Sequence, residues 1–138
     1  MNTTNNNPII SRPLRYIAIV GSTPKSCRRL KLLLKGTSYY CLIDCYKNSR
    51  ELINKESFYL PDCVILESRS LFSMFFIGKQ MEKVNEAFPG IKLIIYYNMI
   101  KRYPLLEQKN SGYPVFHFID DEKEQVANLE KVLQNERI

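Results

Sequence analysis

Short runs of Val, Ile and Leu alternate along this chain with longer stretches whose apolar residues recur every three or four positions. That alternation restricts the available folds more than any other feature does. Strand candidates fall at 15–20, 39–46, 62–67, 91–97 and 114–119. The first, third and fourth are nearly continuous in Val, Ile and Leu, the pattern of strands buried on both faces of a parallel sheet.

The intervening segments have a helical period. Residues 24–35 place Cys27, Leu30, Leu33 and Leu34 on one stripe, with Thr23 as N-cap, Pro24 in the first turn and Gly36 at the end. A second helix is expected over 49–56, with Ser49 as a capping candidate. A third spans 71–88, turns Phe76, Ile77, Met81, Val84 and Phe88 inward, and stops at Pro89-Gly90. Pro104 pushes Tyr103 toward extended backbone, so the fourth helix is short, running from Pro104 to about Lys109. The fifth, 121–136, lines up Val126, Leu129, Val132 and Leu133. Five strands alternating with five helices give an α/β fold, a three-layer αβα sandwich around a five-stranded parallel sheet.

At 138 residues the chain forms one domain, and with 45% hydrophobic residues it can fill a core. Residues 1–14 are polar and Asn-rich and read as a flexible tail, leaving 15–136 as the domain. There is neither the apolar stretch of a signal peptide nor a run of the roughly 18 apolar residues that a membrane span needs. The expectation is a soluble, cytoplasmic protein with no membrane partner. Of the four cysteines, Cys41 and Cys45 share a strand face with Ile43, and no second pair completes zinc-ligand spacing. Cys27, Cys41, Cys45 and Cys63 are therefore expected as buried thiols, ahead of metal ligands or disulfides.

In an open α/β sheet, sites form at the carboxyl ends of the strands. Read in order, those ends carry Gly21, Ser22 and Thr23; then Glu67, Ser68 and Arg69; then Tyr97 and Asn98; then Asp120 and Asp121. Here the sequence resembles the receiver domain of two-component response regulators, most closely the LuxR-type group. VGSTPKSCRRLKLLLK, Val20 to Lys35, is similar to that group's VDDHPLVREGLRALLE. PDCVILE, Pro61 to Glu67, resembles PDVVLLD, and FPGIKLIIYYN, Phe88 to Asn98, resembles FPGVKVIVLTA. The resemblance runs over roughly 14–134 and keeps the element order. It implies the flavodoxin-like strand order 2-1-3-4-5 and a role in signal transduction.

The departures fall on the positions that the resemblance marks as the phosphorylation site. Gly21 and Ser22 stand where receivers hold Mg²⁺ with an acidic pair, and neither supplies the carboxylate oxygens a hard cation requires. Glu67 stands at the phosphoacceptor and Tyr97 at the hydroxyl that senses the phosphoryl group. The lysine position falls on Phe118 or Ile119, with no lysine before Lys123. Phosphoryl transfer depends on positioning and on neutralising charge, so the module is expected to be catalytically dead, without metal or cofactor. Glu67 admits two readings: a built-in imitation of the phosphorylated state, or a residue that merely caps the strand end. Phe72, Met74, Phe75 and Phe76, with Tyr96 and Tyr97, are expected to close over the vestigial pocket, Phe76 also joining the core.

The helix at 24–35 carries Arg28, Lys31 and Lys35 on a stripe opposite its leucines, and the last helix opens with Asp120, Asp121, Glu122 and Glu124. These faces read as a solvated, mutually attractive helix pair, or as a docking face for a protein partner or a homodimer. His117, the only histidine, reads as a hydrogen-bonded core or edge residue. GSTPKS lacks the spacing of a phosphate-binding Walker loop. The expected function is a phosphorylation-independent regulatory module acting by protein contact. It would be the regulatory domain of a LuxR-type transcription factor, reaching DNA only through a domain beyond Ile138. The alternatives are a flavodoxin-like protein binding a small ligand or nucleotide at the strand ends, and a nucleic-acid binder working through the basic helix.

Overall fold

The computed structural model describes residues 12–55, 60–110 and 112–134. Five strands form one parallel sheet in the order β2-β1-β3-β4-β5: β1 Leu14–Val20, β2 Tyr40–Tyr46, β3 Cys63–Ser68, β4 Lys92–Tyr97 and β5 Val115–His117. The helices are α1 Pro24–Lys35, α2 Ser49–Asn54, α3 Leu71–Ala87, α4 Pro104–Glu107 and α5 Glu122–Gln134, with a 3₁₀ turn at Gln108–Asn110 behind α4. The three strands richest in Val, Ile and Leu are the three central ones, and all six residues of β3 are buried.

Strand alternation divides the core in two. Ile17, Ile19, Ile65, Ile94 and Phe116 face α1 and α5, meeting Leu30, Leu34 and Leu129. Ala18, Val20, Val64, Leu66 and Ile95 face α2 and α3, meeting Leu52, Ile77, Met81 and Val84. Helix α1 begins as its sequence dictates, with a capping box between Thr23 and Ser26 and Pro24 in the first turn. The cap of α2 is Asn48 rather than Ser49, because the Asn48 carboxamide accepts from Glu51 N–H and Ser49 is turned into the interior.

Three expectations need correction. Phe76 is 44% exposed, because the stripe α3 buries is Met74, Ile77, Met81 and Val84; at about 100° per residue Phe76 lies well off that line. Strand β5 ends at His117 rather than Ile119. Phe118 N–H donates the last ladder bond to Tyr97 O, and a turn then closes from Asp120 N–H to His117 O. The third concerns sulfur. Cys27 and Cys45 form a disulfide, with Cα atoms 6.7 Å apart, whereas Cys41 and Cys63 keep their thiols. The alternation that sets Cys41, Ile43 and Cys45 on one face points Cys45 at α1, where Cys27 waits on the buried stripe. Closing a loop of 18 residues contributes about 3 kcal/mol through the unfolded chain.

Leu14 begins β1, and Arg12 donates to the Thr37 carbonyl. Residues 1–11 of the expected tail, and the expected ends of the second and fifth helices at 56 and 135–136, lie outside the described residues. Among the described residues no helix is long and apolar enough to cross a membrane.

Candidate functional site

The turn leaving β1 closes directly onto β3. Gly21 has φ +87°, its N–H donates to Tyr46 O at 2.9 Å, and a Cβ there would lie 3.0 Å from the Glu67 carbonyl oxygen. A side chain at this position is disfavoured both by backbone conformation and by contact. The neighbouring Ser22 hydroxyl is buried and makes no hydrogen bond among the described residues.

Glu67 pairs in register with Tyr96 and shares its face with Cys63 and Ile65, so its side chain enters the α1/α5 half of the molecule. It is 6% exposed, and its carboxylate oxygen Oε2 accepts from Asn98 Nδ2 at 2.9 Å, with Arg69 Nε 3.7 Å away. Oε1 has no hydrogen-bond partner among the described residues. Burial pushes the carboxyl above its ordinary pKa; Asn98, the Ser26 hydroxyl and the Arg69 guanidinium oppose the rise without cancelling it. A single carboxylate with an amide N–H and a guanidinium aimed at it does not suit a hard divalent cation. No group of three or more His, Cys, Asp or Glu residues able to hold a metal occurs among the described residues.

Tyr97 lies on the opposite face of the sheet, in register with Ser68 and stacked on His117 with centroids 5.3 Å apart. Its hydroxyl is buried, and burial, then the Glu107 carboxylate, raises its pKa against the opposing pull of Asn110. Tyr96 is buried on the Glu67 side against Phe116. The two tyrosines therefore do not close over one pocket. Nor do the phenylalanines: Phe72, Phe75 and Phe76 stand on the outside of α3, and Met74 is in the core. Phe118, just past β5, is capped by the Arg29 guanidinium of α1 at 4.6 Å from its ring centre. Gln125 of α5 fixes this turn by donating to Phe118 O and Asp120 O.

Of the five positions marked by motif, Gly21 meets Glu67, with Ser22 next to Gly21 in the chain. Tyr97 is separated from them by the sheet, and Phe118 is engaged by Arg29. Sequence reasoning gave no role to Asn98 or Arg69, although both stood at strand ends and carried the donors a buried carboxylate needs. It also missed a second cluster behind β5. His117 Nε2 lies 2.9 Å from Glu107 Oε1 and His117 Nδ1 lies 3.7 Å from Asp120 Oδ2; Arg102 bridges to Glu107 at 2.8 Å. Nothing in the spacing of residues 102, 107 and 117 predicts that meeting, which depends on how short α4 is.

This is the receiver fold. A response regulator receiver domain protein (CheY-like) from Methanospirillum hungatei JF-1 superposes with a TM-score of 0.61 at 15% identity, over 87% of this chain and 94% of that one. A two component transcriptional regulator AraC from Clostridium phytofermentans ISDg gives 0.63 at 15% identity, over 87% and 93%. A putative pilus assembly-related protein from Burkholderia pseudomallei K96243 gives 0.65 at 12% identity, over 96% and 100%. No protein-family model matches the chain, and no curated protein sequence does. At these identities the likeness establishes architecture; function has to be argued from residues.

The basic stripe of α1 is present: Arg28, Lys31 and Lys35 are exposed. Helix α5 is its neighbour, as expected, yet no ion pair joins the two among the described residues; Glu130 instead accepts from the Ser38 N–H and hydroxyl at 2.7 Å each. Between α1 and the ends of β4 and β5 lies a cavity of about 510 Å³ lined by Lys25, Arg28, Asn98, Phe118 and Glu122.

Proposed function

We propose that this chain is a phosphorylation-independent signal-transduction module that acts by being recognised rather than by reacting. The observation that carries the reading is the contact between Gly21 and the Glu67 carbonyl, together with the burial of the Glu67 carboxyl. Metal-binding acids need room beside the acceptor, and here backbone occupies it. Phe118, held under Arg29, stands where the resemblance asks for a phosphate-pairing lysine. These features favour a non-enzyme. They also favour the capping reading of Glu67 over imitation of a phosphoryl group, since burial disfavours the charge such imitation needs.

The motif resemblance extends the proposal to the regulatory domain of a LuxR-type transcription factor, with Arg28, Lys31 and Lys35 as one contact face for a protein partner. The proposal takes the chain to be cytoplasmic, a compartment whose reducing conditions would oppose the Cys27–Cys45 bridge. Incubation with acetyl phosphate and Mg²⁺, followed by intact-mass measurement, tests the central claim. No mass increase is expected; a stable phosphoryl adduct overturns it.

One observation favours a second reading, a small anionic ligand. The cavity beside α1 brings Lys25 and Arg28 together with Phe118. Glu122 in the same lining opposes an anion, and no glycine-rich phosphate loop accompanies it. A nucleotide-dependent rise in melting temperature, absent in Arg28→Ala, would promote this reading over the first.

A further inference from the structure

The outer side of α3 is apolar where a solvated helix face is ordinarily polar. In its first two turns Phe72 is 72% exposed, Phe75 60% and Phe76 44%, with Leu71 beside them. The rings form one ridge: Phe72 and Phe76 lie 5.0 Å apart between centroids, and the Lys109 ammonium sits 5.6 Å from the centre of the Phe75 ring. Single exposed apolar residues are ordinary, but a contiguous cluster of this kind marks an interaction surface. None of these rings packs into the core that Met74, Ile77, Met81 and Val84 supply from the other side of the helix, so folding alone does not explain them.

Charge selects the occupant. Lys79 continues the Phe72–Phe75–Phe76 stripe one turn on, Lys83 follows a turn later, and Lys109 comes in from the 3₁₀ turn; all three are exposed. The acids Glu82 and Glu86 lie only toward the far end of α3. Around the rings themselves the border is cationic. A two-fold pairing of copies centred on Phe75 would bring the two Lys109 ammonium groups together, and each copy carries a net charge of +6. A second copy is therefore disfavoured, and a helix with carboxylates flanking an apolar stripe is favoured, since ridges of one helix pack against the outer face of another.

We infer that the outer face of α3, built from Leu71, Phe72, Phe75, Phe76, Lys79 and Lys109, docks an acidic amphipathic helix of a partner protein. The inference rests on reading the chain as a contact module and names a surface distinct from the α1 stripe. The apolar ridge supplies the affinity and the lysines fix sign and register.

The test uses the full chain and two synthetic peptides of about 18 residues, five helical turns. Both carry the same leucine stripe; one has glutamates on its remaining faces and the other lysines. In NMR titrations the glutamate peptide is expected to shift amide signals of Leu71–Lys79 and Lys109, and to bind at least tenfold tighter than the lysine peptide. The double variant Phe72→Ser/Phe75→Ser should lose at least tenfold in binding while keeping its melting temperature. Lys79→Glu/Lys109→Glu should invert the peptide preference, a readout that a merely structural role would not move. The inference is overturned by no binding, by equal binding of both peptides, or by shifts centred on Arg28, Lys31 and Lys35. It is also overturned if sedimentation shows a dimer that the Phe72→Ser/Phe75→Ser variant abolishes, or if phosphatidylglycerol vesicles outcompete the glutamate peptide for the ridge. Because the peptides do not report on phosphorylation, failure here and failure of the phosphodonor test are separate outcomes.

Discussion

Two glutamates at the carboxyl end of the sheet, one on each face, have opposite electrostatic fates. Glu107 on the α4 side accepts from Arg102, from the Tyr103 N–H and from the His117 ring. Burial would raise its pKa, but those partners hold it down to about 2. Glu67 on the α1 side has a hydrogen bond from Asn98 and a more distant Arg69, and burial wins. On the α4 side the carboxylate has hydrogen-bond donors from three residues. On the α1 side Glu67 Oε1 has no hydrogen-bond partner among the described residues. A buried charge stabilises only when its partners replace what water gave it, so the Glu67 site and the Glu107 cluster should respond to the same substitution in opposite ways.

Replacing each carboxylate by its amide is the sharpest comparison. Glu107→Gln leaves Arg102 and His117 without their anion and should cost about 2–3 kcal/mol. Glu67→Gln should change stability by no more than about 1 kcal/mol, in the stabilising direction, because it removes a charge that burial disfavours. Urea midpoints at neutral pH read both. Equal losses in the two variants would mean that Asn98 and Arg69 serve Glu67 as well as the other cluster serves Glu107.

What the amino-acid sequence disclosed follows from the range of the forces involved. Periodicity is local, so β1, β3, β4, the bounds of α1 and its N-cap at Thr23 were legible to within a residue. The strand order followed once the motif resemblance was added. The disulfide was misjudged because Cys27 and Cys45 are ordinary apolar-face residues on their own elements, and only the approach of α1 to β2 makes them partners. Phe76 was misplaced because choosing among adjacent apolar residues of α3 needs the angle at which the helix meets the sheet. The Glu107–His117–Arg102 cluster was out of reach for a related reason. Its members come from a loop, a four-residue helix and a three-residue strand, none with a period long enough to fix which way a side chain points.

The same comparison predicts a pH profile. Glu107 is held below its ordinary value of 4.5, so its stabilisation is complete above pH 4.5 and disappears as pH falls from there through about 2. The loss should reach no more than about 2–3 kcal/mol, since Arg102 is half exposed and its attraction is screened. Glu67 has the reverse sign. With a folded pKa above the unfolded one, the native state binds the extra proton, so stability falls as pH rises from 4.5 through the raised value. Thermal melts of the wild type, Glu67→Gln and Glu107→Gln across about pH 3 to 8 separate the two contributions. Glu67→Gln should flatten the upper limb and Glu107→Gln the lower. A lower limb that survives Glu107→Gln would assign acid sensitivity elsewhere.

The smallest effect isolates how closely the β1–α1 turn is held against β3. Gly21 and Gly90 both have positive φ, +87° and +78°, yet a Cβ at Gly90 meets nothing within 4 Å, whereas one at Gly21 meets the Glu67 carbonyl. Gly90→Ala should therefore cost only the backbone conformation, about 1 kcal/mol, and Gly21→Ala that amount plus the contact, about 2 kcal/mol. Equal melting-temperature losses would show that the β1–α1 turn can yield, and that closure of the site is soft. An unequal pair would mean that any side chain placed at position 21, an aspartate included, presses on the β3 backbone. What position 21 can hold would then be set by the course of the main chain as well as by the choice of side chain.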